Sequence, residues 1–174
     1  MVSCGSDNFQ DGAAVRADMV RAYVESLLER LIGAKQVSPD DDGDYPVRYR
    51  NARYHVRLVG DVDPVVQVFS VAVSGIAPTP ALFKELNTIN SSIRFARIFW
   101  VREQVLIESE MVGEGVEPAD FDNACRAVAT ITDHYGPLLA ERFGGKTAFA
   151  DEKTEPTGPA APPEDVQART GQYL

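Results

Sequence analysis

The strongest constraint on this chain is the order in which its hydrophobic periodicity changes. A helical stripe gives way to three short strand-like runs, returns, gives way to two more, and returns a third time. Val20, Tyr23, Val24, Leu27, Leu28 and Leu31 recur at three- and four-residue spacing, one continuous apolar face. That helix is expected to begin near Gly12 to Val15 and to end at Gly33, which supplies a left-handed residue. Two strands over 45–50 and 53–59 follow, joined at Asn51-Ala52, and then a third over 65–74 that is apolar on nearly both sides. Thr79-Pro80 has the form of an N-cap and first helical residue, opening a helix whose inner stripe is Leu82, Phe83, Leu86, Ile89 and Asn90. A second hairpin pairs 95–102 with 105–112 through a turn near Glu103-Gln104. The last helix runs over 118–142 with Phe121, Ala124, Val128, Ile131, Tyr135 and Leu138 on its buried side. Gly136-Pro137 should kink or divide it, and Gly144-Gly145 should stop it. The order is α-β-β-β-α-β-β-α, an α+β fold with a five-stranded, mainly antiparallel sheet and its helices packed on one face.

Strand alternation assigns the two faces of that sheet. With the first turn at Asn51-Ala52, Arg50 lies opposite Arg53 and Arg48 opposite His55, so Arg48, Arg50, Arg53, His55 and Arg57 share one face. Val47, Tyr49, Tyr54, Val56 and Leu58 share the other, which the helices must cover. The second hairpin puts Arg97 opposite Glu110 and Phe99 opposite Glu108, with Phe99, Val101 and Leu106 on the arginine side. Ala96, Ile98, Trp100, Val105, Ile107 and Met111 face the core. The outer face therefore has a basic end, an acidic end and apolar residues between, the make-up either of an interaction surface or of an ordinary solvated sheet with cross-strand ion pairs.

Site chemistry of other kinds is missing. There is no G-x-S-x-G, no P-loop, no dinucleotide glycine pattern and no Cys or His spacing for a metal. In the acidic loop 38–44, Asp40, Asp42 and Gly43 invite an EF-hand reading. Its last ligand would then be Tyr49, which has no carboxylate, so the loop is expected to be a solvated turn. Cys4 and Cys125 match no ligand spacing and are expected to be reduced thiols, Cys125 half-buried on its helix. His55 sits among arginines, and Glu108 and Glu110 form an ion-pair cluster beside Arg97 rather than a catalytic pair. A non-enzymatic protein without cofactor or metal is expected. The formal net charge of −9 over 174 residues disfavours nucleic acid and anionic membranes as partners. The first residues have no basic and apolar signal segment and no run is long enough to span a bilayer, so a cytoplasmic location is expected. Residues 1–12 are read as a disordered N-terminus, 13–145 as the folded domain, and 146–174 as a disordered Pro/Ala/Glu-rich tail.

Around the second helix the chain reads Leu86-Asn87-Thr88-Ile89-Asn90, then Ile93-Arg94-Phe95-Ala96 before a strand pair, and it closes with Phe143-Gly144-Gly145 after a long helix. In these stretches, over roughly 13–145, it resembles the actinobacterial family related to YbjN and to the type III secretion chaperones, peptide-binding chaperone-like domains. The resemblance implies a helix-covered antiparallel sheet, homodimerisation, and binding of an extended peptide or partner protein without catalysis. Asn87 and Asn90 match recurring asparagines of that family, whose side-chain amides would satisfy backbone groups of the connector. The expected peptide- or partner-binding residues are Arg48, Arg50, Arg53, His55, Arg57, Arg97, Phe99, Val101 and Leu106. The alternative is a regulatory domain that binds nucleic acid or a small anionic ligand through Arg48, Arg50, Arg53 and Arg57.

Overall fold

The computed structural model describes residues 7–150. It contains the expected elements in the expected order: α1 (Asp7–Ile32), β1 (Tyr45–Tyr49), β2 (Ala52–Val59), β3 (Val65–Ser74), α2 (Pro80–Ser92), β4 (Arg97–Val101), β5 (Gln104–Val112) and α3 (Pro118–Phe143). The strands form one antiparallel sheet in the order β1-β2-β3-β5-β4, with a bulge in β3 between Val71 and Val73. α1 starts at Asp7, earlier than its apolar stripe suggests.

One face of the sheet carries Tyr54, Val56, Val66, Val68, Ile98, Val105 and Ile107, all buried. Val24, Leu27 and Leu28 of α1, Leu82, Leu86 and Ile89 of α2, and Phe121 and Val128 of α3 close over it. Burying each such side chain contributes about 1.5–3 kcal/mol before ordering costs. α2 opens as expected, with the Thr79 hydroxyl accepting from the Leu82 N–H at 3.1 Å and Pro80 in the first turn. It runs beside β4, an edge strand. There the Asn90 amide bonds the main chain of Ile98 twice, Nδ2 donating to its carbonyl at 2.8 Å and Oδ1 accepting from its N–H at 2.9 Å. The side chain thus takes the place of a neighbouring strand for one residue. Asn87 is exposed.

Both hairpin turns fall one residue earlier than expected. Ala52 is a buried strand residue opposite Tyr49, so the first turn is Arg50-Asn51, with Arg50 at φ 49°. Asp133 of α3 holds this turn, accepting from the Asn51 N–H at 3.2 Å and lying 3.8 Å from the Arg50 guanidinium. The second turn is Arg102-Glu103, both at positive φ (47° and 60°), with the Glu103 carbonyl accepting from the Ile76 N–H at 3.0 Å. Each register therefore moves by two: Arg48 faces Arg53, Pro46 faces His55, Arg97 faces Glu108 and Phe99 faces Leu106. A shift of two preserves which face each side chain takes, so the strand residues keep their expected sides.

α3 is continuous through Pro137 rather than divided. Gly136 serves packing: a Cβ there would lie 3.1 Å from the Ala72 carbonyl oxygen. The buried stripe is Phe121, Ala124, Cys125, Val128, Ala129, Thr132, Gly136 and Leu139, whereas Leu138 is exposed. The expected stripe followed the larger side chains, but the helix approaches the sheet on its small ones. Cys125 is fully buried, not half-buried, and burial pushes its thiol well above the ordinary range.

The chain makes further contacts past residue 145. After the positive-φ Gly144 and Gly145, Lys146 pairs with Ser74 through both main-chain bonds, 2.8 and 2.9 Å. Phe149 is 8% exposed. The Pro/Ala/Glu-rich composition read over 146–174 concealed one buried aromatic near its start. The readings of 1–6 and 151–174, including Cys4, fall outside the described residues.

Candidate functional site

The face turned away from the helices carries Arg48 on β1, Arg53, His55 and Arg57 on β2, Gln67, Phe69 and Val71 on β3, Leu106, Glu108 and Glu110 on β5, and Arg97, Phe99 and Val101 on β4. None of the described helices covers it, because α1, α2 and α3 pack on the other side. Eight of the nine expected site residues share this face. Arg50 does not: it lies in the turn, held toward α3 by Asp133.

The surface is amphipathic rather than an open apolar patch. Phe69, Val71, Phe99, Val101 and Leu106 are all half-buried. Arginines lie over the rings: Arg57 over Phe69 at 4.7 Å, Arg97 over Phe99 at 5.7 Å, and Arg48 and Arg53 over Phe149 at 4.1 and 4.9 Å. His55 stacks on the other side of this group, its ring 5.1 Å from that of Phe69. Burial lowers the His55 pKa, which Asp44 and Asp40 oppose and Arg53 and Arg57 reinforce.

Two of these arginines are anchored by buried carboxylates. Arg57 makes a bidentate pair with Asp44, 4% exposed, which holds the Arg57 pKa above its usual value. Asp44 is set in place by the acidic loop, where Asp40 Oδ1 accepts from the N–H groups of Asp42 and Asp44 at 3.1 and 2.9 Å. The loop is thus a hydrogen-bonded turn. At the other end Arg97 pairs with Glu108 and, at 3.1 Å, with Glu110, and the Gln67 amide donates to both carboxylates at 3.2 and 3.3 Å. Arg53 has no carboxylate partner among the described residues. Asp44, Gln67 and Phe149 join the candidate site; Asp44 and Phe149 sit in no periodic pattern that would single them out, and Gln67 lies in a strand whose sequence is apolar on nearly both sides.

Beside the acidic end, the sheet edge is open. β4 ends its pairing at Arg97↔Glu108, so beyond that point β5 stays paired with β3 on one side and has no strand on the other among the described residues. Ile98 turns its main chain away from β5 toward Asn90, which makes Gln104, Leu106 and Glu108 the residues bonded to β4. The next two of that series, Glu110 and Val112, therefore aim their N–H and C=O groups past the end of β4. A cavity of about 610 Å³ lies there, lined by Phe95, Ala96, Met111, Val116, Asn123 and Ala124 among others. Phe95 is 72% exposed and takes φ 62°, and Val112 is 71% exposed. A bulky residue held left-handed costs about 1–2 kcal/mol. Among the described residues no three His, Cys, Asp or Glu side chains come together as a metal site, and no helix is long and apolar enough to cross a membrane.

Comparison with known proteins puts this geometry in context. The family described as "T3SS (YopN, CesT) and YbjN peptide-binding chaperone 1" matches residues 18–151. Among solved structures, the crystal structure of the ExsC-ExsE complex is similar at a TM-score of 0.53, with 13% identity over 68% of this chain and 94% of that one. At that identity the likeness is one of fold. No curated protein matches the chain.

Proposed function

Since the chain belongs to this family of T3SS and YbjN peptide-binding chaperones, we propose that it holds an extended peptide, or an extended segment of a partner protein, on the outer face of its sheet, without catalysis and as a homodimer. The observation that carries this reading is the helix-free face itself. Among the described residues, Phe69, Val71, Phe99, Val101 and Leu106 are shielded there by flanking side chains. An extended segment could lay alternate apolar residues on that row while its backbone joined the open Glu110 and Val112 edge. Three such contacts contribute about 1.5–3 kcal/mol each before ordering costs, which fits adaptable rather than tight recognition. Arg48 and Arg53 would favour acidic residues at one end, and Glu108 and Glu110 basic ones at the other.

Binding of nucleic acid through the arginine row is the weaker reading. Arg50 and Arg57 are matched by Asp133 and Asp44, and Arg97, elsewhere on the face, by Glu108, which leaves little net positive charge to release counterions.

The test is selection of 15-residue peptides from a display library on the full-length protein, followed by affinity measurement with Phe99→Asp and Leu106→Asp. Selected peptides should lose at least tenfold affinity on both variants and keep it on Met19→Asp, an exposed position of α1. Unfolding curves of the variants verify the fold. Equal affinity for folded Phe99→Asp, Leu106→Asp and wild-type protein would overturn the proposal.

A further inference from the structure

The end of β5 is an edge already shaped for another strand. Phe95 takes φ 62° just before β4, and the chain reaches the line of β4 only at Arg97. Beyond that point Glu110 and Val112 turn their N–H and C=O groups outward, with no main-chain partner among the described residues. On its other side β5 stays paired with β3 as far as Val65↔Val112, which holds this stretch extended. A segment that joins it therefore meets a preorganised edge.

The two sides of the edge set what such a segment must carry. Side chains alternate, so a residue opposite Glu110 shares the outer face with it, and the residues before and after turn to the helix side. There the cavity of about 610 Å³ is floored by Met111, Val116 and Ala124, which are half-buried or buried. Glu110 and Asp120 line the same cavity and are exposed. Arg97 is the one cation among its described lining residues and is already paired with Glu108 and Glu110, while Arg94 lies outside it. The cavity is thus apolar within and negative at its mouth. A second copy of the chain fits it poorly. In an isologous antiparallel pairing through Glu110 and Val112, the two Glu110 side chains fall opposite each other or two residues apart on one face, where like charges repel.

We propose that this edge takes an extended segment of a partner protein as a sixth strand, with a lysine or arginine opposite Glu110 and apolar residues on either side of it turned into the cavity. The proposal deepens the peptide-binding reading above and rests on it for the kind of partner. It adds an apolar-basic-apolar pattern at the joined stretch, read through main-chain bonds that the side chains of Phe99 and Leu106 do not supply.

Val112→Pro isolates those bonds. Val112 is 71% exposed, its φ is already −67°, and its N–H is unpaired among the described residues, so the fold accommodates proline and only an added strand loses a donor. The probes are fluorescein-labelled nonapeptides of alternating valine and lysine, or of valine and glutamate, titrated against the full-length protein at about 0.15 M salt. The lysine peptide should bind at least tenfold tighter than the glutamate peptide. Val112→Pro should weaken the lysine peptide at least tenfold with an unchanged unfolding curve, and Glu110→Lys should reverse the preference. Equal binding of the lysine peptide by Val112→Pro and wild type, no preference between the peptides, or a dimer that Val112→Pro dissociates would each overturn the edge pairing. Library-selected peptides that lose affinity on Phe99→Asp but not on Val112→Pro would overturn it and leave the outer-face reading standing. Loss on Val112→Pro alone, with Phe99→Asp and Leu106→Asp unaffected, would support the edge and overturn the outer row.

Discussion

Asn90 and His55 show how single side chains set the properties of this sheet. Asn90 meets both main-chain groups of Ile98 on an edge strand that would otherwise offer them to another chain. Asn90→Ala should cost about 1–2 kcal/mol in urea unfolding. Asn90→Asp should cost at least as much, since a carboxylate oxygen would face the Ile98 carbonyl where the amide now donates. Asn87→Ala, at an exposed position, should stay within about 0.5 kcal/mol. His55 is held neutral by burial, so its folded pKa lies below the ordinary 6.5. An unfolded chain binds that proton more readily, so the contribution is full above about pH 6.5 and is lost as pH falls toward the folded pKa. Unfolding free energy should therefore decline on acidification through this window. His55→Phe, which keeps the stacking on Phe69, should flatten that part of the profile.

At the scale of elements, what a pattern could reveal was set by what the element buries. The strands and α2 were legible because alternation and the Thr79-Pro80 start each have a direct physical cause. Turn positions were not, because Arg50, Arg102 and Glu103 adopt positive φ without being glycine or asparagine. Tertiary contacts, Asp133 on the first turn and Ile76 on the second, hold conformations that local propensity disfavours. The face assignment survived since the register error was even. Gly136-Pro137 is the opposite case: a sequence signal for a helix break marks a close helix-to-sheet contact. Gly136→Ala should therefore destabilise the protein by about 1–2 kcal/mol by thermal or urea unfolding. Helix propensity alone would favour it by nearly 1 kcal/mol.

For the whole molecule, the division into a helix-covered side and an open side organises everything else. The residues of the open face were legible from alternation alone. Two of their partners were not, because Asp44 and Phe149 meet the arginines only through the tertiary fold, whereas the Arg97 cluster with Glu108 and Glu110 was legible from strand pairing. Those partners change the character of the surface from a basic stripe to an amphipathic one, with arginine side chains laid over aromatic rings. Such a surface can accept varied extended segments by moving its long side chains, at modest affinity. The most direct test is amide chemical-shift mapping of a library-selected peptide on the full-length protein. The account predicts shifts concentrated at Arg53, Phe69, Val71, Phe99 and Leu106 and at the Glu110–Val112 edge. Shifts concentrated instead on the exposed sides of α1, α2 and α3, with those residues unmoved, would contradict it.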